Sequence, residues 1–261
     1  MQVLLLTDFS PNAKIMQHYA VNFFGEKDVH FILFHAMKPC KTSACQSLCA
    51  QKRQDSLDQE FKNFKSQLSP NHTVSQVFFK TNLVDAVRSF IQKSSVDMIL
   101  MGGKGKTSDA NKQFGKNTFD IVTKIRCPIL VVFENTVIKI PGKIVFPMDY
   151  TTSIQQSYLK SISQMNFWSN IDLSILEVPN KIFNNLLLKK INKEKISKVF
   201  KEVNHHFKIL KPKDDIGFCE SCHDADMIMF MAKNLSVSNK IFTQLDKEDL
   251  NPQIPLLVLH A

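Results

Sequence analysis

Four of the seven glycines in this 261-residue chain fall between positions 102 and 115. An apolar run ends in Met101-Gly102-Gly103-Lys104-Gly105, Gly115 follows, and Lys116-Asn117-Thr118 opens a helical pattern. Two residues separate Gly102 from Gly105, and nine separate Gly105 from Gly115. Glycines let a backbone turn sharply and approach a ligand closely. The N–H groups of the following helix start, with the positive end of its dipole, then face anionic oxygens. Lys104, Lys106 and Lys116 add positive charge and Thr118 adds a hydroxyl donor. The chemistry is that of a phosphate cradle. It is not a P-loop: five residues before Gly105 stands Leu100, and five before Gly115 stands Ala110, with Asn117 after Lys116. Nor does a G-x-G-x-x-G follow the first apolar run.

The thiols are the second chemical candidate. Cys219-Glu220-Ser221-Cys222-His223 has the C-x-x-C-H spacing of covalent haem attachment. Cys40, Cys45 and Cys49 form another group, the last two spaced to share a helix face. Thiolates and imidazole are good zinc ligands, yet neither spacing matches a strong zinc motif. Neither haem nor a metal is expected; were one present, Cys219, Cys222 and His223 would hold it. His205-His206 heads a short strand, Trp168 and the phenylalanines read as core, and no Ser/His/Asp set or carboxylate pair assembles from position alone.

The elements that position these residues repeat. Gln2–Phe9 (QVLLLTDF) matches Lys143–Tyr150 (KIVFPMDY), and Asp28–Met37 matches Asn170–Pro179. Asp97–Met101 (DMILM) matches Asp226–Phe230 (DMIMF), and Cys127–Val132 matches Ile254–Leu259. Each run is short, branched and nearly continuous in apolar character, the pattern of parallel strands buried on both faces. Third strands are placed near Val74–Lys80 and His206–Leu210. Helical stretches lie between: Ala13–Phe24, Cys45–Leu68, Val84–Lys93 and Thr118–Ile125, then Ser153–Met165 and Asn180–Val203. The alternation predicts an α/β chain of two doubly wound parallel five-stranded sheets, residues 1–136 and 143–261, joined by a linker at 137–142. In such sheets ligands sit at the carboxyl ends of strands, where the strand order switches.

Composition is consistent with this. Hydrophobic residues make up 44% of the chain and no stretch approaches the ~20 apolar residues of a membrane span. Met1–Asp8 lacks a basic flank and reaches an acid too early for a signal peptide, so a cytoplasmic protein with reduced cysteines is expected. Of the net charge of +9, +7 lies in residues 1–140, which favours anionic partners or serves as a solvated surface.

With these motifs in place the chain resembles the universal stress protein family in its tandem form. The resemblance rests on Gly102, Gly105 and Gly115 as the family's Gly-x2-Gly-x9-Gly, and on Thr7-Asp8-Phe9-Ser10 after the first strand. It rests also on Asn82–Ala86 before the third helix and on Arg126–Val132 at the last strand. It implies the adenine-nucleotide alpha-hydrolase-like fold. It also implies ATP or AMP, with or without Mg, held by Thr7, Asp8, Ala36, Met101, Gly102, Gly105, Gly115, Lys116, Asn117 and Thr118. Lys116 stands where the family usually has Ser or Thr. The second copy keeps Asp149 but has Met231 and Asn234 at the places of Gly102 and Gly105 under the strand offset, so no nucleotide is expected there. The resemblance further implies that the second copy pairs with the first, as in the homodimer of single-domain members. The implied role is regulatory, with slow hydrolysis at most and no catalytic residues, and neither membrane nor nucleic acid is an expected partner. Two alternatives stay open: an interaction scaffold of the same fold that binds no nucleotide, and a thiol- or metal-sensing variant. A phospho-acceptor receiver module is disfavoured, because the third strand ends at Lys80-Thr81 instead of an acid.

Overall fold

The computed structural model describes residues 1–40, 43–105, 114–152, 170–180, 185–211, 214–247, 249–250 and 253–260, with backbone alone at 43–46. The expected helix Ser153–Met165, Trp168, Lys106 and the Cys45 side chain lie outside these. The chain divides into two compact units, Met1–Ile138 and Lys139–Ala261.

The first unit runs β1 (Gln2–Leu6), α1 (Pro11–Phe24), β2 (Val29–Ala36), α2 (Ser43–Lys65), β3 (His72–Phe79), α3 (Leu83–Lys93), β4 (Met98–Gly102), α4 (Lys116–Lys124) and β5 (Ile129–Val132). Its strands lie in the order β3-β2-β1-β4-β5 and all pair in parallel. β1, β4 and β5 are covered on both faces, which is why VLLL, MILM and ILVV carry no polar residue. β3 is only half-buried and mixes polar with apolar residues. α1 starts at Ser10, whose side chain accepts from the Ala13 N–H, with Pro11 in the first turn where no donor is lost. It stops at Gly25, whose φ of 57° suits glycine. α1 packs across β4 and β5, and α2 across β3 and β2.

The second unit runs β6 (Lys143–Met148), β7 (Asp172–Glu177), α5 (Leu186–Val199), β8 (Asn204–Ile209), α6 (Asp215–His223), β9 (Met227–Met231), α7 (Leu235–Asp246) and β10 (Leu256–Leu259). Its strand order, β8-β7-β6-β9-β10, repeats that of the first, again all parallel. The fold class expected from the sequence is therefore found. Two corrections accompany it. The helix expected over Asn180–Val203 forms as Leu186–Val199, because Asn185 caps it by accepting from the Leu188 N–H. Helices α6 and α7 had no sequence-level assignment.

The repeat extends to backbone detail. Asp97 accepts from the Gln2 N–H at 2.7 Å while its own N–H donates to the Gln2 carbonyl. Asp226 and Lys143 make the same exchange. Among the described residues, positive φ outside glycine occurs at Phe9 (64°) and Tyr150 (61°), each the residue after the aspartate that follows a first strand. The shared strained turn aims each aspartate in the same way.

Candidate functional site

β1 pairs with β2 on one side and β4 on the other, so the switch in strand order lies between β1 and β4. Thr7 and Asp8 leave the carboxyl end of β1, Ala36 is the last residue of β2, and Met101 and Gly102 are the last residues of β4. The fold thus gathers three separated stretches at one end of the sheet, the end at which doubly wound folds bind ligands.

The glycine segment is tied to this end by short contacts. Gly103 N–H donates to the Val132 carbonyl and Gly115 N–H to the Gly103 carbonyl, at 2.9 and 2.8 Å, so the far end of the loop is pinned beside its start. The Thr118 hydroxyl, buried, donates to the Gly102 carbonyl at 2.9 Å. Asn12, buried in the first turn of α1, donates from Nδ2 to the Lys104 carbonyl at 3.3 Å. A Cβ on Gly102 would stand 2.8 Å from that same Nδ2. Gly102 is glycine because the Asn12 amide occupies the space a side chain would fill.

α4 starts differently from the other helices whose starts are described. α1, α3, α5, α6 and α7 are each capped by a side chain, from Ser10, Asn82, Asn185, Asp214 and Asn234. At α4 the cap position is Gly115, and no side chain caps the turn. The Lys116, Asn117 and Thr118 N–H groups therefore have no intrahelical partner. Lys116 and Asn117 are exposed there. A bare helix start suits an anion.

Around the β1 end lies a network that sequence reasoning did not find. The Thr7 hydroxyl donates to Glu60 Oε1 at 2.5 Å and accepts from the Phe9 N–H at 3.1 Å. Gln17 donates to the same Glu60 oxygen at 2.7 Å. Burial pushes the Glu60 carboxyl above its ordinary value, against the pull of the bonds from Thr7 and Gln17 and the charge of Lys14. His35 Nδ1 lies 2.8 Å from the Thr7 carbonyl, between the rings of Phe9 and Phe78. Burial pushes the His35 pKa down, so the neutral ring with Nδ1 as donor fits this place. Asp8 Oδ1 accepts from the Ser10 N–H at 3.1 Å. Glu60 and His35 stand 53 and 28 residues from Thr7 in sequence, and no motif signals them.

In the second unit the same end of the sheet is filled from within. Asp149 is buried and accepts from the Thr151 N–H (3.0 Å), the Thr151 hydroxyl (2.7 Å), Asn180 Nδ2 (2.9 Å) and the Ser236 hydroxyl. Burial works to raise its pKa, but these four donors together hold it below the ordinary value. Met231 closes β9 with its side chain buried, where Gly102 closes β4. The connection from β9 to α7 is residues 232–234, against 103–115 in the first unit. Asn234 therefore occupies the helix-capping place of Gly115, a correction to the position expected from the strand offset, and nothing replaces the loop. Glu177, buried at the end of β7, pairs with Lys189 (2.6 Å) and Lys193 of α5, both also over the Tyr150 ring.

Cys219 and Cys222 lie on α6, unbridged, and burial raises the pKa of both. Cys127 is pushed up to about 12 by burial and by Asp97. His223 Nε2 lies 2.8 Å from the Asp249 carbonyl. Among the described residues no three His, Cys, Asp or Glu gather as metal ligands.

The model of the universal stress protein family matches residues 1–132, and the chain belongs to that family. It is similar in fold to a universal stress protein from Archaeoglobus fulgidus, with a TM-score of 0.68 at 11% identity, covering 99% of this chain and 98% of that one. It is similar also to a putative universal stress protein from Pseudomonas aeruginosa, with a TM-score of 0.56 at 15% identity, covering 99% and 92%. No curated protein matches the chain. Membership of the family supports a role in the stress response. No helix among the described residues is long and apolar enough to cross a membrane.

Proposed function

We propose that the first unit binds an adenine nucleotide, ATP or AMP, at the β1–β4 switch point, and that the protein acts as a nucleotide-responsive regulator. The observation that carries this reading is the uncapped start of α4 beside a glycine-lined strand end. Its backbone N–H groups and Lys116 would meet the phosphates. Asp8 and the chain after Ala36 would meet ribose and base. The hydroxyls of Thr7 and Thr118 already donate within the protein, which leaves backbone and lysine as the phosphate donors. Among the described residues of the loop no base and nucleophile pair stands, and binding with slow turnover at most is the behaviour proposed.

Thermal unfolding with and without ATP or AMP tests this. A ligand at a hundred times its Kd stabilises by about 2.7 kcal/mol. Gly115→Val should remove the shift by putting a side chain on the phosphate path, and Asp8→Ala should weaken it at a half-buried position. Absence of any shift with either nucleotide at millimolar concentration rejects the proposal in favour of a scaffold that binds none.

A further inference from the structure

We infer that a groove between α1 and α2 of the first unit is a second ligand site, taking a small neutral polyhydroxylated compound such as a polyol or monosaccharide. The groove encloses about 690 Å³, within the range of small-molecule sites. It is lined along one wall by Gln17 of α1 and along the other by Ser56, Gln59, Glu60 and Asn63 of α2, with Phe9 at one end. It contains none of the glycine-loop residues, so it stands or falls independently of the nucleotide reading.

The hydrogen-bonding capacity left open decides the ligand. Gln17 and Glu60 are more than nine-tenths buried. Their bond to each other uses Gln17 Nε2 and Glu60 Oε1, and Thr7 also takes Oε1. No described hydrogen bond ends on Glu60 Oε2 or Gln17 Oε1. With Glu60 ionised the floor offers two acceptors and asks for donors, which favours a hydroxyl-bearing ligand over a phosphate or carboxylate. On the outer wall Gln59 Nε2 donates to Asn63 Oδ1 at 3.1 Å. That leaves Gln59 Oε1 and Asn63 Nδ2, one acceptor and one donor, side by side. A vicinal diol presents the complementary pair.

Charge separates a hydroxyl ligand from an ammonium one. Lys14 lines the groove and its charge bears on Glu60, so a second cation would meet repulsion there. Lys14 is the lysine of the lining, set against the carboxyls of Asp55 and Glu60. Hydroxyl groups meet the carboxylate without that cost. Because Glu60 also holds the Thr7 hydroxyl, occupancy pulls on the turn that carries Asp8 and Phe9.

The test is a nuclear magnetic resonance titration of the ¹⁵N-labelled full chain, without nucleotide, using D-glucose and myo-inositol as probes and 1,4-diaminobutane as the cationic comparison. One polyol or both should shift the side-chain amides of Gln17, Gln59 and Asn63 saturably at millimolar concentration, with smaller shifts at the Thr7 and Phe9 amides. Gln59→Ala with Asn63→Ala, both on the exposed wall, should weaken the response about tenfold, the loss of one to two hydrogen bonds. Glu60→Gln, which keeps an Oε1 acceptor, should weaken it too. Silence from both polyols, a response to the diamine alone, or shifts unchanged in the double variant would each overturn the assignment.

Discussion

At the scale of single residues, Gly102 of the loop has a packing reason to be glycine. Gly102 yields its side-chain space to Asn12, whose amide reaches the Lys104 carbonyl. Gly102→Ala forces a buried amide to move and should cost about 1–3 kcal/mol, as overpacking does. If Asn12 is the obstacle, Gly102→Ala should cost much less in an Asn12→Ala background, read as a double-mutant cycle in urea unfolding. Equal costs in both backgrounds would show that Asn12 is not the reason. Glu60 carries a second prediction. Its folded pKa is raised by burial, so the protonated form is the one the fold favours. That contribution is fully present below the unfolded pKa and is lost as pH rises through the folded one. Above the folded pKa the wild type carries the cost of a buried charge. Glu60→Gln keeps the acceptor for Thr7 and Gln17 without the charge, so it should melt higher than wild type near pH 7. The difference should close towards about pH 4. A variant that melts lower at every pH would mean the charge itself supports the network.

At the scale of elements, what was legible in the sequence divides by distance. The strands were readable because a parallel strand buried on both faces must be apolar throughout, and Val3–Leu6, Met98–Met101 and Leu256–Leu259 are. α6 and α7 had no assignment, and Gly217 and the Ser and Asn residues of Leu235–Asn239 are weak helix formers. Their caps, Asp214 accepting from Gly217 N–H and Asn234 from Val237 N–H, were the available signal. Gly217 sits in a helix because a Cβ would meet the Asp214 carboxylate at 2.5 Å. The glycine loop was readable as a local motif. Glu60 was not, being 53 residues from the threonine it holds. Asp149 was read as a retained ligand residue, yet its partners come from three stretches of the second unit: Thr151, Asn180 and Ser236 at the start of α7. Asp149→Ala strands those donors and should cost roughly 2–3 kcal/mol. Because its folded pKa is depressed, its contribution is present above the unfolded value and lost as pH falls through the folded one. The acid limb of the wild-type stability curve should therefore be steeper than that of Asp149→Ala. Parallel acid limbs would show that Asp149 is not charged in the fold.

At the scale of the whole molecule, two units of one strand order differ at the carboxyl ends of their strands. In the first unit residues 103–115 connect β4 to an uncapped helix. In the second, residues 232–234 make the same passage, Asn234 caps the helix, and the conserved turn aspartate is consumed by four donors. A phosphate entering the second unit would find neither bare N–H groups nor the space that Met231 fills. The chain should therefore bind one nucleotide, not two. Calorimetric titration with ATP or AMP should give a stoichiometry of one per chain. Asp8→Ala should lower the affinity, while Asp149→Ala, studied where it remains folded, should leave stoichiometry and affinity unchanged. Replacing Met231 and Asn234 by glycine should create no second site, because the missing loop and the occupied aspartate are separate obstacles. A stoichiometry of two, or loss of binding in Asp149→Ala with Asp8→Ala unaffected, would reverse the assignment of the units. The closed second copy would then have to open to admit its ligand, at the cost of the hydrogen bonds that now fill it.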